Sequence, residues 1–249
     1  ISKNHNRPFF ILSLTIPNAA KKAKITAREE PQKPYIRLFK TPSPIPLFQA
    51  LIALSIKAAA DVQKISEKEQ KEIYSQFLKI PSMINQILSK KNRFIALANK
   101  LSEARDILFL GRGLAYPLAL EGSLKLKEIS YIHAEAYASG ELKHGPIALI
   151  DKSVPVIILA PKDKLFDKNI SNVQEVAARG GKVVLLSDKS GFENTDEKFW
   201  STIELPKTID TLNPLLYAVA VQLIAYYTAV AKGTDVDQPR NLAKSVTVE

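Results

Sequence analysis

Residues 154–161 read VPVIILAP, eight positions without one charged or hydrogen-bonding side chain. A strand with one wet face alternates apolar and polar residues, so an unbroken β-branched run belongs to a strand buried on both faces. Three more short runs have strand character: DILFLG at 106–111, KVVLLS at 182–187 and STIEL at 201–205. Helical spacing separates them. One helix is predicted from about Pro117 to Ser130, and another over roughly 165–179, stopping at Arg179-Gly180-Gly181 with glycine in the C-terminal position. A last helix has Asn213 as its expected cap, Pro214 in the first turn, Lys232 in the last and Gly233 beyond. Buried strands alternating with helices imply an α/β fold, a parallel sheet covered by helices on both faces.

Upstream the character changes. All nine glycines lie at or after Gly111. From LFQALIALSIKAAADVQ to about residue 104 apolar residues recur at helical spacing, with Pro81 in the first turn of a helix that continues to about Lys90. Residues 1–45 hold six prolines and no sustained periodicity, and read as irregular. The net charge of +10 is concentrated there. Residues 1–60 carry ten Lys/Arg against two Asp/Glu, and the other 189 carry 25 against 23. Without aromatic-basic interleaving this is a solvated basic arm, and no nucleic-acid partner is expected. RPFFILSLTIP is short and lacks a small-residue cleavage site, so it is not read as a signal peptide. PLLYAVAVQLIAYYTAVA barely reaches membrane-spanning length and contains Gln222 and three tyrosines, which favours a buried or subunit-interface helix over a membrane segment.

Chemistry is restricted by what is missing. Without cysteine there is no disulfide, thiolate zinc site or cysteine nucleophile, a composition that fits a reducing cytoplasm. Three histidines without an H-x-x-x-H pair leave no metal-ligand spacing, and no G-x-S-x-G elbow supports a serine hydrolase. Ligands of such folds bind at the carboxyl ends of strands, where the loop after the first strand reads Gly111-Arg112-Gly113. On the 117–130 helix, Glu121, Lys125 and Glu128 share one face, hemmed in by Leu118 on one side and by Leu120 and Leu124 on the other. This is either a salt-bridge ladder worth about 0.2–0.5 kcal/mol per pair or a tuned general base beside a lysine. His133 sits in an alternating stretch as a core or edge histidine. His144, held between Lys143 and Gly145-Pro146, has its direction fixed by a turn, and histidine is a residue type that can move protons in catalysis. Lys244, in the otherwise uncharged NLAKSVTV, is either a solvated tail lysine or an amine able to form a Schiff base with a carbonyl substrate.

FLGRG, ALEGSLKLKEISYIHAEAYASGELKHGPIALID and KGTDVDQPRNLAKSVTVE resemble the C-terminal half of the glucosamine-6-phosphate synthases, the isomerising glutamine:fructose-6-phosphate aminotransferases. The resemblance runs from about residue 70 to 249. It implies a flavodoxin-like three-layer sugar-isomerase (SIS) domain over 96–236, a helical linking region over 51–95 and a C-terminal active-site tail over 237–249. It implies fructose 6-phosphate and glucosamine 6-phosphate as ligands, no cofactor, a cytoplasmic location and a homodimer. Lys244 matches the Schiff-base lysine, Glu128 the base that moves a proton between C1 and C2, and Lys125 a lysine close to that base. His144 matches the ring-opening histidine, contributed by the neighbouring subunit. Glu121, Arg240 and Ala243 fall among the substrate-binding residues.

Two features depart from that pattern. The family takes ammonia from glutamine with a cysteine nucleophile, and this chain has no cysteine. The family holds phosphate with an S-x-S-G-x-T loop of a first SIS domain, and residues 1–50 show nothing like it. SDKSGFENT at 187–195 has only a superficial likeness to such a loop. Residues 1–50 are therefore expected to stand in place of a lost or altered first SIS domain, in a truncated or frameshifted chain. A non-catalytic SIS module that binds a phosphosugar or pairs with another subunit is the alternative reading.

Overall fold

The computed structural model describes the backbone of residues 44–240, with side chains from Ala50 onward. Four helices come first: α1 (Pro44–Asp61), α2 (Glu67–Phe77), α3 (Ile80–Ser89) and α4 (Lys91–Leu101). Helix α1 starts inside the stretch expected to be irregular. Pro44 and Pro46 occupy its first turn, where the missing N–H groups would have no partner in any case. Pro81 likewise sits at the start of α3.

Then come β1 (Asp106–Gly111), α5 (Ala115–Ser130), β2 (His133–Ala138), β3 (Pro155–Leu159), α6 (Phe166–Ala177), β4 (Lys182–Asp188), a short α7 (Lys189–Glu193), β5 (Ser201–Leu205) and α8 (Asn213–Lys232). The five strands form one parallel sheet in the order β2-β1-β3-β4-β5. Phe109 pairs laterally with Ile157, and Ile157 with Val184, all fully buried. The next residues along, Leu108, Val156 and Val183, belong to the core on the opposite face, with Phe166, Val173 and Val176 of α6. Both faces are covered, so both parities of each central strand must be apolar.

Helix α8 packs on α5 and α4. Between Pro214 and Ala229 only Ala218 falls short of full burial. It is long and apolar enough to cross a bilayer, but here its surroundings are protein. Gly233 closes it at φ 74° as expected, whereas Asn213 does not cap it. Asn213 is the first helical residue, and the preceding 3-10 turn Asp210–Leu212 leads straight into the helix. Strand β2 was not separated from its surroundings by pattern, because HAEAYA has small residues on its buried parity.

Candidate functional site

The expected acid–lysine face exists on α5. Ala119, Gly122, Ser123 and Leu126 turn inward. Gly122 is needed for this approach: a Cβ there would stand 2.9 Å from Phe109 Cε1 and 3.0 Å from Val221 Cβ. The outward stripe is Glu121, Lys125 and Glu128. Lys125 Nζ donates to Glu128 Oε2 at 2.9 Å and lies 4.0 Å from Glu121 Oε1, so one ammonium serves two carboxylates. All three side chains are half-buried, and Leu120 and Leu124 beside them remain exposed.

The chain's C-terminal segment returns to the end of this helix. Thr234 Oγ1 donates to Ile129 O at 2.6 Å and to Ala229 O at 3.0 Å. The backbone N–H of Arg240 donates to the Tyr131 hydroxyl at 2.7 Å, and its guanidinium lies 4.2 Å from the centre of the Tyr131 ring. Tyr131 is the C-cap of α5 and sits at φ 60°, a left-handed conformation that costs an L residue with a side chain roughly 1–2 kcal/mol. Arg240 thus meets Tyr131 at the C-terminal end of α5. Ala243 and Lys244 lie outside the described residues.

His144 is not brought to that group. It closes the 3-10 turn Ser139–His144 beyond β2, where its Nδ1 is 2.8 Å from Glu141 Oε2. Three residues per turn eclipse positions i and i+3, which places this carboxylate against the ring. His144 lies past the carboxyl end of β2, and Glu128 is in the last turn of α5, before β2 begins. The six-residue strand between them spans about 20 Å. His133 is the edge histidine, 61% exposed, with Nδ1 3.0 Å from Asp106 Oδ1. On the same parity of the edge strand, the Tyr137 hydroxyl donates to Glu135, which holds that carboxyl below its usual range and pushes the phenol up.

Strands β2 and β3 leave β1 on opposite sides, which marks the switch point of the sheet. At the carboxyl ends there, Gly113 adopts φ 57°, and Arg112 Nη2 donates to Asn172 Oδ1 at 3.2 Å. A small recess beside them includes Leu114, Leu118, Asp163, Asp210, Asn213 and Tyr217 in its lining. Burial raises the Asp163 carboxyl and the neighbouring Asp210 adds to the rise, while the Leu165 N–H opposes it. Burial pushes the phenol of Tyr217, 2% exposed, well above its ordinary value, with Asp188 and Asp163 reinforcing the effect. The segment 187–195 is no open anion cradle. Ser187 Oγ donates to Ala160 O at 2.6 Å, Ser190 is engaged by Asp188, and a Cβ at Gly191 would fall 2.0 Å from Ser187 Oγ. Sequence reasoning did not single out Tyr131, Glu141, Asp163 or Tyr217. Each acquires its neighbours only through the tertiary fold or a turn type that no pattern announced.

Among known proteins, the SIS domain family matches residues 100–232. The glutamine–fructose-6-phosphate aminotransferase (isomerising) of Brucella abortus is 54% identical over 200 residues, covering 80% of this chain and 33% of that protein. One from Bradyrhizobium diazoefficiens is 50% identical over 216 residues, 87% of this chain and 36% of that one. The chain therefore spans about a third of the length of these relatives. Among solved structures, the C-terminal domain of glucosamine-fructose-6-phosphate aminotransferase from Francisella tularensis aligns with TM-score 0.73 and 41% identity, over 76% of this chain and 53% of that one. A glucosamine-6-phosphate deaminase from Thermotoga maritima, 22% identical, aligns with TM-score 0.53 over 76% of this chain and 52% of that one, a likeness of fold alone.

Proposed function

This chain belongs to the SIS domain family, and from that premise we propose that it carries the sugar-isomerising site of a glutamine–fructose-6-phosphate aminotransferase, or glucosamine-6-phosphate synthase. One juxtaposition carries the reading: Glu128 is held by Lys125 at 2.9 Å, and the chain leading to Lys244 is fastened at Tyr131, three residues beyond Glu128.

In this reading the Lys244 amine attacks C2 of open-chain fructose 6-phosphate and water leaves, forming a Schiff base. Ammonia then takes the place of Lys244 on C2. Glu128 removes a proton from C1 and returns it to C2, so C1 becomes the aldehyde and nitrogen remains on C2 as glucosamine 6-phosphate. Lys125 keeps the carboxylate in position. Glu121, Arg240 and Ala243 contact the sugar. The 249 residues hold no cysteine to serve as a glutaminase nucleophile, so ammonia release is assigned to none of them. The phosphate falls to an S-x-S-G-x-T loop of a first SIS domain, which these 249 residues do not show; the hydroxyls of Ser187 and Ser190 are engaged internally.

His144 opens the sugar ring from a second copy of the chain, because β2 separates it from Glu128 of its own copy. The assembly is a cytoplasmic homodimer supplying amino sugar for UDP-GlcNAc synthesis. Domain limits follow the same reading: a linking region over 51–95, the SIS domain over 96–236 and the active-site tail from 237.

The test is chemical trapping. Fructose 6-phosphate and borohydride should leave a reduced sugar adduct on Lys244, located by peptide mass mapping. Saturable binding of glucose 6-phosphate without any adduct would replace this reading with a non-catalytic phosphosugar-binding module.

A further inference from the structure

His133 and His144 are held in different ways. His133 has a carboxylate at each ring nitrogen, Asp106 at Nδ1 (3.0 Å) and Glu135 at Nε2 (3.5 Å). His144 has one, Glu141 at Nδ1 (2.8 Å), and among the described residues no group takes its Nε2. An ionised carboxylate can only accept a hydrogen bond, so the neutral His144 ring must carry its proton on Nδ1. Nε2 is then left with a lone pair, on a side chain that is 71% exposed. An imidazole without such a partner prefers the opposite arrangement, with the proton on Nε2.

The turn that carries this pair is fastened from below. Ser139 and Leu142 are fully buried, and Leu142 belongs to the core beneath α6. Gly140 lies against the Arg112 guanidinium, where a Cβ would stand 3.4 Å from Nη1, and Lys143 Nζ is 3.0 Å from Glu175 Oε1 on α6. Gly145 at φ 135° ends the turn directly after His144. Glu141 and His144 are the residues left facing outward, eclipsed by the three-residue repeat. A pair this exposed adds little to stability, so what the carboxylate changes is the state of the ring.

We propose that Glu141 is a positioning residue for His144: it holds the proton on Nδ1 and so makes Nε2 the nitrogen that works on the sugar. This rests on the reading of His144 as the ring-opening histidine. Nε2 takes the proton from the hydroxyl on C2 of the cyclic sugar. The bond between C2 and the ring oxygen breaks as C2 becomes a ketone, and Nε2 returns the proton to the ring oxygen. The carboxylate stabilises the imidazolium formed between the two transfers. It touches no sugar atom and gains or loses no proton.

Three versions of the 249-residue chain decide it: wild type, Glu141→Gln and Glu141→Leu. Glu141→Gln keeps an oxygen to accept from Nδ1 and loses the charge, and Glu141→Leu removes the acceptor. The tautomer is read from long-range 1H–15N NMR at about pH 8.5, above the ordinary histidine range, with the His144→Ala chain assigning the signal. Ring opening is read separately, as the rate at which the two ring forms of fructose 6-phosphate exchange. His144 should carry its proton on Nδ1 in wild type and in Glu141→Gln, and on Nε2 in Glu141→Leu. Exchange should slow about tenfold or more in Glu141→Leu, because the wrong nitrogen then carries the proton, and Glu141→Gln should fall between. A wild-type ring protonated on Nε2, or a Glu141→Leu ring still protonated on Nδ1, would overturn the proposal. A switched tautomer with unchanged exchange would overturn the role of Glu141 in ring opening. A wild-type chain that leaves exchange at its uncatalysed rate would instead remove the ring-opening reading of His144, and this role with it.

Discussion

Lys125 Nζ stands 2.9 Å from Glu128 Oε2 and 4.0 Å from Glu121 Oε1 on the outward face of α5. Pairs this exposed contribute about 0–1 kcal/mol to stability. Glu128→Gln should therefore leave the thermal midpoint nearly unchanged. If Glu128 moves the proton, ammonia-dependent formation of glucosamine 6-phosphate by the assembled synthase should fall by about 10²–10⁴-fold. Wild-type turnover in this variant would reduce the stripe to an ordinary salt-bridge ladder.

The separation of His144 from Glu128 along β2 gives a complementation test. His144→Ala and Lys244→Ala should each be inactive in sugar isomerisation. Co-expressed, they should regain part of the activity if the proposed dimer shares its sites, because one site of each mixed dimer would then receive an intact histidine from one chain and an intact lysine from the other. Absence of recovery in demonstrably mixed dimers would place both residues in one subunit.

Gly122 meets the Phe109 ring edge and Val221 where Phe109 has no exposed surface. Gly122→Ala must push β1 or α8 away from α5. Overpacking of this kind costs about 1–3 kcal/mol, to be read from denaturant midpoints at constant slope. An unchanged midpoint would mean that this junction yields without cost.

Asp163 predicts a pH effect of defined sign. Burial raises its carboxyl, and Asp210 adds to the shift. A carboxyl whose folded value lies above its unfolded one binds protons more tightly when folded, so its ionisation costs stability at pH values above its ordinary range. Asp163→Asn keeps an oxygen to accept the Leu165 N–H, made by Asp163 Oδ1 at 2.7 Å. The variant should melt higher than wild type at neutral pH, and the gap should close as pH falls through the raised folded value and then the ordinary one. A gap that stays constant with pH would dissociate it from this ionisation.

The three-layer architecture was legible because burial on both faces leaves a direct mark on sequence. VPVIILAP and KVVLLS have apolar residues at both parities, and they became the central strands β3 and β4. Edge strand β2 needs no such run, since Ala134 alone among its residues is fully buried. The α5 stripe was legible from helical periodicity, which fixes that Glu121, Lys125 and Glu128 share a face. Periodicity could not distinguish a solvated ladder from a working site, because that depends on what else reaches the face.

Local pattern thus determined the order of the elements other than β2, the apolar character of the central strands and the alignment of one lysine with two acids, all of which follow from side-chain spacing along a single chain. Tertiary structure decided which residues separated in sequence meet. Arg240 and Tyr131 are 109 positions apart and become partners at 2.7 Å, while Glu128 and His144, 16 apart, are driven to opposite ends of β2. Spacing governs neighbours within one turn or one pleat. Distances between elements are set by how helices pack on the sheet, and that packing is a property of the whole core.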